Sequence, residues 1–513
     1  MKNSSLKDFI LPLGLVLLTL WVFNTHFFKS TFYRGTVHEG EVQEHTFVAP
    51  KSHSAVKPIN TAIDFGLSKR NGAPIITHIE TSWASLDFST EGASLETAAF
   101  KKVDHKSVQN VYTIFSTEDK AERFFLTALS ENTPFYYDFV AQRESEDAFF
   151  VTYQHTDSQC RIEKTFVVYK ELNKIDLQLT IDPYKNKVVQ PRIFFESPMM
   201  PDLQQDIISA VVIDGKNNYS RMSRASLKDG QGWFKPGVFG LDNKYYLHAL
   251  VNDSDMFMQR AYYKFENKDA LVAIIEGPEV TDKTSWNLSF YLGPKDTEVM
   301  TAVDMRLDQA AHYYGWLAPL SKFLLYLLKW LNRYFNNFGV AIIVLTILMK
   351  LVLFPFSFRG EKGIAKSKEN QKKLSYIEQK YKNDPDKLAQ ERAEFLRKHG
   401  LPGLGSCLPM FLQMPVFFAL NRVLSSAPEM YKASFLWISD LSSTDPYYVF
   451  PALVFLGMLV NALTVDAQQR STMIIMALVF GAFTASFSAG LSLFILVGTV
   501  LGVLQAKCIK ALS

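Results

Sequence analysis

One lysine lies near the middle of an otherwise apolar stretch, Phe338–Phe358. As a helix this stretch would be about 30 Å long, the thickness of the hydrocarbon core of a bilayer. Lys350 would lie deep in that core, where a charge costs about 2.5–3.5 kcal/mol and must be hydrated or paired. Thr346 lies four residues before it and Ser357 seven after it, so the three side chains share one helix face. This pattern predicts an intramembrane groove that can bind an acidic group.

Other polar side chains recur within the apolar runs nearer the C-terminus. Singly, each is more typical of helix packing, because Ser and Thr are ordinary packing residues in membranes. No acidic residue falls within the neighbouring runs, so water is the simplest partner for Lys350. If these helix faces turn toward one another, they would enclose a polar cavity that opens toward the cytoplasmic side, where the chain is rich in basic residues. With Lys350, Thr346 and Ser357, the predicted groove residues are Gln413, Asn461, Thr484, Ser486, Ser492 and Thr499.

Motifs for catalysis are missing from the sequence. It contains no nucleotide-binding G-x-x-x-x-G-K-[ST], no metalloprotease H-E-x-x-H, no G-x-S-x-G and no Cys/His cluster. We therefore expect no enzyme activity, cofactor or metal. A net charge of +3 over 513 residues, without a basic and aromatic run, argues against nucleic acid recognition. Three cysteines cannot make a disulfide framework.

Six apolar runs are near the length of a transmembrane helix once their flanks are included. No small-residue cleavage site follows the first run, so an uncleaved anchor over residues 1–29 is expected rather than a signal peptide. The loop from residue 359 to 404 holds 12 Lys/Arg against 7 Asp/Glu, which predicts a cytoplasmic loop and cytoplasmic N- and C-termini. The runs are Phe9–Phe28, Phe338–Phe358, Gly405–Leu424, Tyr447–Leu463, Met473–Phe487 and Leu491–Leu504.

Residues 30–310 are predicted to form an exported all-β domain. Segments such as Lys164–Ile181 alternate in part and are rich in β-branched and aromatic residues, with Asn, Asp, Gly and Pro between them. A sandwich is the expected architecture. Trp233, Tyr245 and Tyr246 could line a ligand groove, although aromatic residues in a sandwich more often belong to the core.

Residues 311–337 are predicted to form an amphipathic helix at the outer membrane interface. Apolar residues recur at helical spacing from Leu320 to Phe335, with basic residues elsewhere. A seventh span is the alternative, which the basic residues disfavour. The predicted anchor residues are Trp316, Leu324, Leu328 and Trp330.

The cytoplasmic loop, residues 359–404, is predicted to be a helical hairpin within a five-span core that covers residues 338–513. Asp384 is expected to be the N-cap of its second helix, with Pro385 at the first helical position and Gly400 near the end. Such a basic hairpin could meet anionic lipid or a ribosome, although a charged run is more often only a solvated face.

The sequence from about Tyr291 to Leu504 resembles the YidC-type membrane protein insertases of Gram-negative bacteria, in the YidC/Oxa/Alb family. The motifs that carry the resemblance are "YYGWL", ending at Leu317, "GSCLPMFLQMPVFFAL" from Gly405, "WISDLSSTDPYYVFP" from Trp437 and "GLSL" from Gly490. Their order and spacing make the signal specific.

The resemblance implies a β-supersandwich in the exported domain and a bacterial inner-membrane location. It implies that the protein inserts and folds inner-membrane proteins without nucleotide hydrolysis, alone or with the Sec translocon. Its partners would be nascent membrane proteins with short acidic or polar tails, membrane lipids, the ribosome and the signal recognition machinery.

Two positions depart from the family pattern. Lys350 stands where the family usually has arginine; lysine keeps the charge but lacks the bidentate fork. Ser488 stands where proline is typical.

Two rival functions remain open. A six-span transporter would use Lys350 to bind a solute, but the sequence shows no internal repeats or paired broken helices. A scaffold for translocation subunits would differ only in being unable to insert a substrate alone.

Overall fold

The computed structural model divides the chain into two compact units, Lys29–Tyr313 and a second unit of Met1–Phe28 with Tyr314–Ser513. The predicted anchor, Phe9–Phe28, lies outside the residues that the structure describes. Those residues are 73–104, 107–116, 123–129, 134–185, 187–198, 208–215, 217–228, 231–265, 271–311, 317–382, 384–399, 408–463 and 467–512.

The first unit is built from antiparallel strands, as predicted, and ends in two short helices, α1 (Thr297–Val303) and α2 (Asp308–Ala311). The strands are β1 (Ile76–Glu80), β2 (Ala84–Ser89), β3 (Ser94–Asp104), β4 (Ser107–Ser116), β5 (Leu126–Ala128), β6 (Asp138–Glu144), β7 (Ala148–Thr156), β8 (Cys160–Tyr169), β9 (Lys174–Pro183), β10 (Arg192–Glu196), β11 (Ser209–Ile213), β12 (Tyr219–Ser223), β13 (Gly232–Phe234), β14 (Val238–Asp242), β15 (Tyr246–Asp253), β16 (Arg260–Phe265), β17 (Leu271–Glu276) and β18 (Thr284–Pro294).

Three sheets result within the described residues. A nine-stranded sheet has the order β12-β11-β14-β15-β18-β9-β8-β7-β6, a five-stranded sheet has the order β13-β16-β17-β10-β5, and β1–β4 form a meander. The two larger sheets pack through aromatic rings: Phe195 of β10 lies 5.7 Å from Phe290 of β18, measured between ring centroids. Tyr263 of β16 also reaches across, with its hydroxyl 2.8 Å from the carbonyl oxygen of Gly240. The sandwich prediction is therefore confirmed.

The aromatic residues considered for a ligand groove belong to this core. Tyr245 and Tyr246 are buried. Trp233 packs against Phe239 and Tyr263, with ring centroids 6.0 Å and 5.4 Å away. The alternative interpretation, that these residues belong to the sandwich core, is correct.

One fully buried lysine joins all three sheets. Lys164 of β8 lies in the nine-stranded sheet, and its Nζ donates to the carbonyl oxygens of Gly92 (2.8 Å) and Ala93 (3.3 Å), between β2 and β3. It also donates to the carbonyl oxygen of Phe125 (2.8 Å), next to β5. All three acceptor residues have left-handed backbones, with φ of 73°, 39° and 72°. Burial lowers the pKa of Lys164, but three acceptors match the three protons of an ammonium group.

Replacing this lysine should destabilise the first unit strongly. Lys164→Met keeps the bulk but leaves three buried carbonyls without donors, and we expect a loss of about 4 kcal/mol in the free energy of unfolding. Lys170→Met is the matched control, because this lysine lies at the surface in an ion pair with Glu144 and should contribute less than about 1 kcal/mol. Hydrogen exchange of β8 peptides in the full chain measures both; equal effects would contradict the role of Lys164.

A buried histidine should make the same unit sensitive to acid. His248 of β15 is 1% exposed, its Nδ1 lies 3.0 Å from the carbonyl oxygen of Glu196, and Nε2 has no partner among the described residues. Burial lowers the pKa of His248 to about 4. Between this value and about 6.5 the unfolded chain binds the proton more tightly, so stability rises with pH in this window.

We therefore expect the first unit to lose about 3 kcal/mol of stability from this one group as the pH falls from 7 to 4. His248→Gln should flatten the acid limb of the stability curve, measured by hydrogen exchange across this pH range. His78→Gln is the control, because the hydrogen bond to Asp87 raises the pKa of that exposed histidine and gives the opposite sign. An unchanged slope in His248→Gln would refute the assignment.

The second unit is helical in its described part. No helix there is both long and apolar enough to cross a membrane. The presence of six membrane-spanning helices stays a prediction. The helices are α3 (Ala318–Phe335), α4 (Phe338–Lys380), α5 (Pro385–His399), α6 (Leu408–Ser426), α7 (Val449–Leu463), α8 (Ala467–Thr484) and α9 (Ala489–Leu512).

Candidate functional site

A single long helix, α4, positions Lys350. The side chain of Asn337 accepts a hydrogen bond from the backbone N–H of Val340 (3.1 Å) and so caps the helix start. The helix then continues without a break for 43 residues to Lys380. It includes both the predicted second span and the first arm of the predicted hairpin, so no loop begins at residue 359.

The side chain of Lys350 is half-buried between two helices. It lies beside Gly498 of α9, where an added Cβ would stand 3.8 Å from Lys350 Cε. No hydrogen bond or ion pair to its Nζ is found within the described part of the chain. The next two residues, Leu351 and Val352, are exposed aliphatic side chains. Lys350 is thus a half-buried cation for which the described residues provide no anionic partner.

Three of the predicted groove hydroxyls bond to their own helices. Thr346 Oγ1 donates to the carbonyl oxygen of Ile342 (2.6 Å), and Thr484 and Thr499 make the same bond four residues back, at 2.7 Å and 2.8 Å. Thr346 and Thr484 are also fully buried. Both hydroxyls therefore satisfy their hydrogen bonding without solvent, as packing residues do.

The remaining predicted residues are spread over the unit. Ser492 is buried, and its Oγ lies 3.3 Å from the carbonyl oxygen of Thr484, which links α9 to the end of α8. Ser486 and Asn461 are exposed, and Gln413 is half-buried. The side chain of Ser357 lies outside the described residues. Within this set the structure therefore brings Ser492 and Thr484 together.

Helix α9 provides one wall beside Lys350. Thr499, next to Gly498, packs against α7, where a Cβ added to Gly457 would lie 3.0 Å from Thr499 Cγ2. Glycine at residue 457 lets α9 approach α7 closely, whereas a Cβ at residue 498 would make only an ordinary van der Waals contact with Lys350. Sequence patterning did not identify these glycines, because a glycine in an apolar run carries no polar signal.

The leucine stripe of α3 requires a correction. Leu324 and Leu328 were expected to face lipid, but both are fully buried in the protein core of the second unit, together with Leu331. Ser321 Oγ donates to the carbonyl oxygen of Ala419 on α6 (3.4 Å), and Lys329 pairs with Glu429 at 2.6 Å. These contacts turn the stripe toward α6, and the buried core that it joins includes residues of α4.

The opposite face of α3 carries large exposed aromatic side chains. Trp330, predicted as an anchor, is one of them, and Trp316 lies outside the described residues. The others are Phe323, Tyr326, Tyr334 and Phe335.

Side-chain hydrogen bonds cap the starts of helices α5 and α9. Asp384 Oδ1 accepts a hydrogen bond from the backbone N–H of Lys387 (3.2 Å), and α5 begins at Pro385, which confirms that N-cap. Ser488 Oγ accepts from the backbone N–H of Leu491 (3.4 Å) at the start of α9. A proline at residue 488 would have no hydroxyl for this cap. Among the described residues, no cluster of His, Cys, Asp or Glu could hold a metal.

Two family models match the chain, one for each unit. The model described as YidC periplasmic domain matches residues 76–327, and the 60Kd inner membrane protein model matches residues 330–513. The membrane protein insertase YidC of Syntrophobacter fumaroxidans is 30% identical over 377 residues, which are 67% of this chain and 68% of that protein. The chain belongs to the YidC family of membrane protein insertases.

Other members of the YidC family match a shorter part. The insertase of Geobacter sp. strain M21 is 34% identical over 277 residues, which are 52% of this chain and 51% of that relative. The match thus spans about half the length of that protein. A crystal structure of an active YidC insertase with its first transmembrane domain resolved covers 86% of this chain and 93% of its own, at 18% identity and a TM-score of 0.38.

Proposed function

We propose that this chain inserts and folds inner-membrane proteins, and that Lys350 receives the acidic or polar tail of a substrate in an intramembrane groove. The single observation that carries this proposal is the half-buried Lys350 without an ion-pair partner in the described residues, within the unit that matches the family. A carboxylate is the natural ligand of an ammonium group in a low-dielectric site. The hydrophobic segment of the substrate would then pass into lipid.

The proposal places helices α4, α6, α7, α8 and α9, with the N-terminal apolar run, in the bilayer as six spans. Exposed aliphatic side chains on α4, α7, α8 and α9 support this, because soluble monomers rarely expose large apolar patches. The excess of Lys and Arg between residues 359 and 404 supports a cytoplasmic hairpin and cytoplasmic termini. The β-rich first unit would be periplasmic. The exposed examples on these helices are Leu351, Val352, Leu456, Leu463, Leu478 and Leu504.

The groove would be lined mainly by Lys350 with Gln413, Asn461 and Ser486, since these residues are exposed or half-buried whereas Thr346 and Thr484 are fully buried. Partners would be nascent membrane proteins, the Sec translocon and membrane lipids, with the ribosome and signal recognition machinery meeting the basic hairpin. No nucleotide is required, because substrate burial in lipid is itself favourable.

Reconstitution tests this function directly. Proteoliposomes that contain only this protein should protect a short, acidic-tailed, single-span substrate from external protease without ATP, whereas empty liposomes should not. Insertion that appears only after the Sec translocon is added would indicate a scaffold. Solute uptake without insertion would indicate a transporter.

A further inference from the structure

A tight turn between α6 and α7 presents an apolar side chain in a strained backbone conformation. Phe435 and Ile438 exchange both backbone hydrogen bonds, each 2.9 Å long, around Leu436 and Trp437. Leu436 has a φ of 53° and is 71% exposed. Left-handed backbone costs about 1 kcal/mol for a residue with a side chain and favours Gly or Asn in such turns. Folding alone therefore gives this tip no preference for a large apolar side chain.

The base of the turn is fixed in the protein. A Cβ added to Gly339, in the first turn of α4, would clash with the ring of Phe435. Ile438 is buried. Trp437 Nε1 donates to Asp445 Oδ1 (3.2 Å), and its ring centroid lies 4.9 Å from that of Phe450. The fold thus holds Leu436 outward instead of leaving it on a loose loop.

Two aspartates organise the rest of the loop. Asp440 accepts hydrogen bonds from the backbone N–H groups of Lys432 (3.1 Å) and Ser442 (2.8 Å). Asp445 accepts from the backbone N–H of Phe450 (2.8 Å) at the start of α7. Strained backbone persists only where its surroundings hold it, as these hydrogen bonds do here.

The chemistry of the surrounding surface favours lipid over a protein partner. Tyr447 and Tyr448 are exposed and follow Asp445, the hydrogen-bond partner of Trp437. Tyr334 and Phe335, also exposed, precede Gly339, which the ring of Phe435 contacts. Such side chains combine an apolar ring with, in Tyr and Trp, one polar atom, the composition that is enriched at membrane–water interfaces. The loop from residue 427 to 448 has one basic residue, Lys432, and its acidic residues, Glu429, Asp440 and Asp445, bond within the protein. Attraction to a charged partner is therefore not its main feature.

We propose that the tip of this turn, Leu436 and Trp437, inserts into the outer bilayer interface and fixes the depth of α4 and α7 in the membrane. This inference rests on the proposed function, because it requires the second unit to lie in a bilayer. A leucine in hydrocarbon and a tryptophan at headgroup level would both gain from that position.

The test uses an environment-sensitive fluorophore on single cysteines in the full chain, reconstituted in phosphatidylcholine and phosphatidylglycerol vesicles. Cys407 and Cys508 are replaced by serine, and Cys160 is kept, because burial raises the pKa of its thiol to about 12 and makes it unreactive. The label at residue 436 should show blue-shifted emission that brominated lipid quenches and aqueous iodide does not.

Two further labels act as controls. Met256, in the first unit, has the same φ of 53° and is 70% exposed, so a label there should be quenched by iodide only. A label at Leu351, on the exposed face of α4, should be quenched by lipid. If residue 436 behaves like residue 256 while residue 351 reports lipid and substrate insertion is normal, this inference is wrong and the proposed function stands. If residue 351 also reports water, the membrane location fails and this inference fails with it.

Discussion

Lys350→Glu is expected to reduce insertion of substrates with acidic tails at least about tenfold, which is about 1.4 kcal/mol or more. The substitution replaces attraction by repulsion at a half-buried site, where charge interactions are weakly screened. Lys350→Arg should retain activity, because it keeps the charge. Protease protection of the substrate in proteoliposomes measures all three proteins.

Lys380→Glu is the matched control for this reversal. It makes the same change in charge on the same helix, at the exposed C-terminal end of α4, and should leave insertion by purified protein nearly unchanged. A substrate whose tail carries lysine instead of aspartate should be favoured by Lys350→Glu. Normal insertion of acidic tails by that variant would rule out charge capture.

Leu324→Asp combined with Leu328→Asp is expected to prevent folding of the second unit. Each leucine is fully buried, and losing its packing costs about 2–5 kcal/mol before the penalty for burying a carboxylate is added. The yield of protease-resistant, detergent-solubilised protein measures the effect. The loss should occur without lipid, because both side chains contact protein.

Tyr326→Asp combined with Tyr334→Asp tests the other face of α3. Both tyrosines are exposed, so in detergent this variant should fold with a change of less than about 1 kcal/mol. If the tyrosine pair proved as damaging as the leucine pair in detergent, α3 could not have its leucine stripe buried and its tyrosine face exposed.

Helix periodicity predicted that α3 is amphipathic but not what covers its apolar face. A stripe such as Leu324, Leu328 and Leu331 has the same spacing whether it faces acyl chains or α4 and α6. The Asp384–Pro385 signal, by contrast, is local and predicted the start of α5 correctly.

The first unit shows the same limit. Alternation predicted the strands and the sandwich, but Lys164 occupies a strand position where a lysine ordinarily indicates a solvent-facing side. Its role depends on three carbonyls that are distant in sequence and become neighbours only when the sheets assemble. Within the predicted groove, helical spacing likewise placed Thr346 and Lys350 on one face, but it could not indicate that Thr346 is buried and bonds to its own helix.

The unbroken α4 also sets a distance. Lys380 follows Lys350 by thirty helical residues, which corresponds to about 45 Å along the helix. A peptide held at Lys350 and still attached to a binder at the far end of α4 must span that gap, which takes about 14 residues of extended chain. The length of α4 thus sets the least number of residues between the charged tail of such a substrate and the part that is still held at the far end of the helix.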